Sequence, residues 1–209
     1  MINIHQFGYR KNFSTQTVLL NLTDTIRRGV ELGFVTVLLM FDFSKAFDTI
    51  DHSILLERLY NLGFSQNTIL WFHDYLLYRQ QVVIDENGEP TEFMTTSSGV
   101  LLGPILFLIY MNSILNVINY CHYELFVDDL QIFIQCKASS INTAIIDMQN
   151  YVNSIVCWTT QNYLKLNPNK IKAINFGTVF QLNHLNKLYD TGIPTITVSN
   201  VTIPYSSSF

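Results

Sequence analysis

Charge is what this sequence has least of. Only 13% of its 209 residues are Asp, Glu, Lys or Arg while 48% are hydrophobic, a balance that excludes an intrinsically disordered chain. A basic excess is missing too. Twelve Lys and Arg against 16 Asp and Glu leave a net charge of −4, whereas a free-standing nucleic-acid binder usually presents a basic face. Cysteines number three (Cys121, Cys136, Cys157), an odd set without C-x-x-C spacing. That argues against a zinc ribbon or a disulfide framework and for reduced thiols of an intracellular protein, in nucleus or cytoplasm and not secreted. The five histidines (His5, His52, His73, His122, His184) are too scattered for a histidine metal site. Met1 leads into a polar stretch, not a signal peptide, and the longest apolar run, Val100 to Met111, is broken by Gly103 and Pro104 and too short for a bilayer. No membrane partner is expected.

What is present is a set of apolar segments with regular spacing. Ser14 to Arg28 has helical periodicity, with Ser14 as N-cap and Gly29 as the stop. Residues 34–42 form the continuous apolar run of a strand buried on both faces. Helices are predicted from Asp51 to Gly63 and from Gln66 to Tyr78, followed by a hairpin turning at Asn87-Gly88. Gly103-Pro104 opens a helix through Ile118 that is apolar on nearly every side and therefore buried. Ile141 to Gln161 forms an amphipathic helix, Leu164 to Phe176 two short strands around Pro168-Asn169, and Ile193 to Ile203 a last hairpin at Ser199-Asn200. Gln181 to Gly192 reads as a linker. Hairpins mixed with helices predict an α+β fold, helices packed behind a small antiparallel sheet.

The chemistry concentrates at Asp128 and Asp129. They divide two apolar strand-like segments, 123–127 and 130–134, and so predict a hairpin with carboxylates at its tip. Adjacent like charges cost folding energy unless a cation offsets them. Asp42 ends the strand at 34–42. If that strand lies beside the hairpin, three acids converge on one point, a place for divalent metal. Magnesium takes oxygen ligands and usually only one or two carboxylates plus phosphate oxygens, and paired ions can serve both the attacking and the leaving oxygen of a phosphoryl transfer.

Four motifs, in this order and spacing, resemble the reverse transcriptases of non-LTR (LINE-type, jockey-like) retrotransposons: Asp42 to Asp51 (DFSKAFDTID), Gly99-Val100 with Leu102 to Phe107, the FVDD box at 126–129, and Leu164 to Lys170. The likeness runs over roughly residues 6 to 177, and residues 194–207 continue in the same style. It implies a right-hand polymerase palm with partial fingers over 1–180, then a linker and truncated hairpin over 181–209 leading toward a thumb that the chain lacks. By position it implies that Asp42, Asp128 and Asp129 are the catalytic metal-binding acids for two Mg2+ ions, or Mn2+. Phe47 would lie under the nucleotide sugar and exclude a 2′-hydroxyl, with Phe43 beside it and Lys170 near the triphosphate. Gln6 to Lys11 resembles a fingers element whose Arg10 and Lys11 would contact nucleic acid, as would Gly99. The implied partners are an RNA template, a DNA primer and a dNTP.

Departures from the pattern accompany the match. Val100 passes directly to Leu101-Leu102-Gly103-Pro104, where the family places a Pro-Gln-Gly-Ser block lining the template and nucleotide pocket. The first finger strands, the primer grip and the thumb are also expected outside this sequence, and the mean hydropathy of +0.21 fits a fold that normally continues. Two readings stay open: an RNA-directed DNA polymerase working by two-metal nucleotidyl transfer, or a non-catalytic remnant with at most weak nucleic-acid binding. A ribonuclease H-type nuclease would need a further acid facing Asp42. Glu57 is the nearest candidate, and its place beside Arg58 explains it as a solvent-facing helix residue.

Overall fold

The computed structural model describes residues 3–77, 80–82, 84–90, 94–95, 103–118, 121–190 and 194–208. Helix α1 (Thr15–Glu31) starts at Ser14, whose hydroxyl accepts the Thr17 N–H at 3.3 Å. It buries Val18, Leu22 and Ile26 and runs past Gly29, its expected stop, before the chain turns at left-handed Gly33. Gly29 serves packing instead. A Cβ there would lie 2.2 Å from Gln135 Nε2, which donates to Thr25 O and Thr36 Oγ1 at 3.0 Å each.

Strand β1 (Val35–Met40) is the apolar run predicted, at most 2% exposed from Val35 to Leu39. A short 3₁₀ turn, Ala46–Asp48, leads to α2 (His52–Asn61), capped by Asp51, and then α3 (Gln66–Leu76), capped by Ser65. Strands β2 (Gln80–Gln81) and β3 (Met94–Thr95) pair antiparallel, with Gly88 left-handed between them as the Asn-Gly turn requires. Helix α4 (Gly103–Met111) buries Leu106, Phe107, Leu108, Tyr110 and Met111 but leaves Ile105 exposed, and the helix expected through Ile118 tightens to 3₁₀ geometry over Asn112–Val117. Strands β4 (His122–Phe126) and β5 (Asp129–Cys136) form the hairpin, and α5 (Ile141–Gln161) follows. Residues 164–176 give one full strand, β6 (Lys172–Phe176), behind the 3₁₀ turn Pro168–Lys170, with an isolated bridge between Phe43 and Leu166.

The stretch expected to be a linker is largely helix α6 (Val179–Asp190). Thr178 and Gln181 cap it reciprocally: Gln181 Oε1 accepts the Thr178 N–H at 2.8 Å, and Thr178 Oγ1 accepts the Gln181 N–H at 3.3 Å. Leu182 and Leu185 are 1% and 0% exposed within the main core. The hairpin of β7 (Ile196–Val198) and β8 (Val201–Ile203) turns at Ser199-Asn200 as predicted and buries Ile196, Val198 and Ile203 in that same core. Residues beyond 181 therefore share one core with those before it. Strand β9 (Tyr205–Ser208) completes a five-stranded sheet ordered β4-β5-β1-β6-β9, antiparallel except for the parallel pair β6–β9. This is the α+β architecture the sequence predicts. No helix among the described residues is long and apolar enough to cross a membrane.

Strand alternation gives the sheet two unlike faces. Val35, Val37, Leu39 and Phe41 point into the main core with α4 and α5, while Leu38 and Met40 point toward α1 with Phe133 and Phe176.

Candidate active site

Backbone ladders carry β1 beyond its last regular residue. Phe41 N–H donates to Leu130 O at 2.8 Å on one side, and Asn167 N–H donates to Asp42 O at 2.9 Å on the other. The register between β1 and β5 pairs Met40 with Gln131. Continued by two residues, it sets position 42 across from position 129. Past this point the chain bends sharply, with Ser44 N–H bonded to Lys165 O at 2.7 Å and Lys45 left-handed at φ 50°.

The hairpin tip differs from expectation by one residue. Phe126 pairs with Asp129, so the two-residue turn is Val127-Asp128, and Asp129 is already the first residue of β5. Val127 has φ 62°. A β-branched residue in the left-handed region is rare and costs roughly 1–3 kcal/mol. Such turns normally use Gly, Asn or Asp.

Asp128 is half-buried and Asp129 exposed. Burial, then the charges of Asp129 and Asp42, push the Asp128 carboxyl above the usual carboxylate range. Burial and the charge of Asp42 do the same to Asp129. The three acids therefore share one end of the sheet and feel one another. They do not form a closed cage: among the described residues, no group of three or more His, Cys, Asp or Glu is gathered closely enough to hold a metal ion. As a donor set, three carboxylates suit a hard divalent cation that takes its remaining ligands from water and phosphate.

Around these acids, Lys170 is exposed and places Nζ 3.8 Å from Asp42 Oδ1. Phe47 is half-buried and stacks on Phe107 with ring centroids 4.2 Å apart and 22° between planes. Phe43, expected at the nucleotide, has a buried side chain (7% exposed) that belongs to the core. Arg10 is engaged by its own loop: one Nη donates to the carbonyls of Asn3, Ile4 and Gln6 at 3.0–3.3 Å, and the guanidinium lies 4.9 Å from the Phe13 ring. Lys11 is exposed, and Glu57 is exposed on α2. Gly99 and the loop after Val100 lie outside the described residues.

One residue at this end of the sheet was not singled out by itself in the sequence. Gln6 is fully buried, and its Oε1 accepts from Val127 N–H at 3.1 Å and Gly8 N–H at 3.0 Å. The available signal was an amide side chain inside an otherwise apolar Gln-Phe-Gly stretch, but its partner lies 121 residues away.

A family model described as reverse transcriptase (RNA-dependent DNA polymerase) matches residues 1–199. Similar solved structures include three of telomerase from Candida tropicalis. The apo protein truncated from its C-terminal domain gives TM-score 0.56 at 16% identity, over 78% of this chain and 35% of that one. The complex with the TWJ fragment of telomeric RNA gives 0.55 at 15%, over 78% and 29%, and the apo protein gives 0.52 at 15%, over 77% and 32%. At such identities the likeness concerns the fold, and this chain spans about a third of the length of those chains. Comparison with curated proteins gives no match.

Proposed function

The chain belongs to the reverse transcriptase (RNA-dependent DNA polymerase) family, and from that premise we propose that it is the fingers-and-palm portion of a mobile-element enzyme of the non-LTR, LINE-type, jockey-like kind. Its reaction is templated DNA synthesis on RNA: a primer 3′-oxygen bonds to the α-phosphorus of a dNTP, the bond to the β-phosphate oxygen breaks, and pyrophosphate leaves. The observation that carries this reading is the β1–β5 register, which brings position 42 opposite 129 with Asp128 alongside.

Asp42, Asp128 and Asp129 would hold magnesium or manganese, which when bound supplies positive charge to the attacking and leaving oxygens. The remaining work is positioning and charge. The ring of Phe47, backed by Phe107, gives a firm surface against the sugar, and this supports selection for deoxynucleotides. Lys170, already beside Asp42, offers its ammonium to the triphosphate. Lys11 contributes to phosphate binding, and Gly99 allows close approach of the template; Arg10 acts chiefly by holding its own loop. RNA, primer and dNTP place the activity inside the cell. A second reading, a non-catalytic remnant, is favoured by the absence of a closed acidic cluster among the described residues.

Primer extension on an RNA template by the 209-residue chain with Mg2+ or Mn2+ decides between them. The polymerase reading expects extension that Asp128→Asn abolishes. Extension that is seen and then lost in this way refutes the remnant reading; no extension from either folded chain counts against polymerisation by these 209 residues on their own.

A further inference from the structure

The turn that carries Asp128 is held from outside the sheet. Residues 5–8 lie along β4 as an added edge: Phe7 N–H donates to Leu125 O at 2.8 Å, and Leu125 N–H donates to His5 O at 3.0 Å. That pairing drives Gln6 inward, to 0% exposure. Its amide then closes on Val127 from both sides. Oε1 accepts the Val127 N–H at 3.1 Å, and Nε2 donates to Val127 O at 3.4 Å. The same Oε1 accepts the Gly8 N–H at 3.0 Å, which fixes the amide's orientation. Gly8 lets the two backbones meet, since a Cβ there would fall 2.6 Å from Val127 Cγ2 and 2.8 Å from Val127 N.

These contacts converge on the residue whose backbone is least at ease. At φ 62° Val127 adopts a conformation that its own side chain opposes, and the turn lacks the glycine that would adopt it freely. Strained conformations persist where the surroundings over-determine them. Both backbone polar groups of Val127 are satisfied by one side chain, so loss of that side chain releases both at once.

We infer that Gln6 is a positioning residue: through its paired hydrogen bonds to Val127 it holds the left-handed turn that aims Asp128 and Asp129 at the shared cation site. The inference rests on the polymerase reading for what the acids do, and on the Gln6–Val127 geometry alone for how they are held. It assigns a task to the Gln-x-Gly element that is separate from phosphate contact by Lys11 and from the loop held by Arg10.

The test uses the full chain and two readouts. Amide hydrogen exchange at Val127 needs neither metal nor activity, and Gln6→Ala should speed it about tenfold with little change in the β1 amides. Mn2+ binding, followed by electron paramagnetic resonance, should weaken about tenfold in the same variant, the scale typical of residues that orient metal ligands. In primer extension kcat should fall while KM for dNTP holds. Should Gln6→Ala fail to fold, Gly8→Ala gives the same readouts by crowding Val127. Adding Val127→Gly to Gln6→Ala should restore Mn2+ affinity to within about threefold, because glycine accepts the turn unaided. Unchanged Val127 exchange in both single variants overturns the inference, as does Mn2+ affinity left intact by Gln6→Ala. An unsubstituted chain that binds no Mn2+ instead refutes the cation reading, and the exchange data alone then decide the clamp.

Discussion

The two faces of the central sheet make unequal contributions. Val35, Val37, Leu39 and Phe41 are at most 4% exposed beneath α4 and α5, in a core that also takes up Leu182, Leu185 and the β7–β8 hairpin. Among the described residues the other face packs against α1, and beside it runs a groove of about 590 Å3 lined by Leu22, Ile26, Leu38, Met40, Ile174 and Phe176. Asp42 continues the alternation of Leu38 and Met40 and so belongs to this second, thinly covered face. One strand thus gives one face wholly to the main core, while its other face runs from buried Leu38 to the half-buried carboxylate of Asp42. Period-two geometry makes the separation possible, because substitution at one position leaves the opposite face in place.

Paired truncations should break the symmetry most visibly. Leu39→Ala is expected to cost about 2–5 kcal/mol in urea unfolding, as a fully buried leucine leaves a cavity. Met40→Ala should cost about 1 kcal/mol, because only part of its side chain is removed from water. Equal losses would erase the distinction. A pH effect comes next. Glu124 is buried on the α1 side of β4, where Asn21 donates to it at 2.6 Å, and burial pushes its carboxyl up to about 7. Between its ordinary value of 4.5 and about 7, the folded chain keeps a proton that the unfolded chain has released. Stability should therefore fall as pH rises through that window and level off above it. Glu124→Gln should flatten that slope in thermal melts, and an unchanged slope would remove Glu124 as its source. The smallest effect belongs to Asp129→Asn. Removing one of two like charges set opposite each other should stabilise the metal-free chain by roughly 0.2–1 kcal/mol. Added Mn2+ should raise the Tm of the parent chain more than that of the variant, and equal shifts would separate Asp129 from the cation site.

Much of this was legible in the residues themselves. The run at 34–42 reads as a strand buried on both faces, with Val35–Met40 its regular part, Ser14 and Asp51 stand where helices begin, and Asn87-Gly88 marks a turn. The hairpin was legible as well, but not its tip. Val127 carries no turn signal, and what puts it in a turn is Gln6, a partner 121 residues away. Helix α6 was missed because its polar surface masked two buried leucines, although Thr178-x-x-Gln181 is a readable capping box. Gly29 reads locally as a helix stop, since local propensity knows nothing of Gln135 arriving from another strand. Strand β9 is polar, and its parallel pairing with β6 depends on tertiary placement alone. Asp42, Asp128 and Asp129, legible as acids at strand ends, stand at one end of the sheet, but among the described residues no three acids come close enough together to hold a metal ion. Phe43, next in the chain after Asp42, is sent inward to the core by alternation.

The main chain at Asp42 is gripped on both sides, by β5 through Phe41 and by the Asn167 N–H, which donates to the Asp42 carbonyl. Its counterpart at 128 stands in a two-residue turn pinned at Val127 by the Gln6 amide. With the main chain held on both flanks, a cation proposed to sit between them would be met by rotation of the carboxylates more than by movement of either backbone.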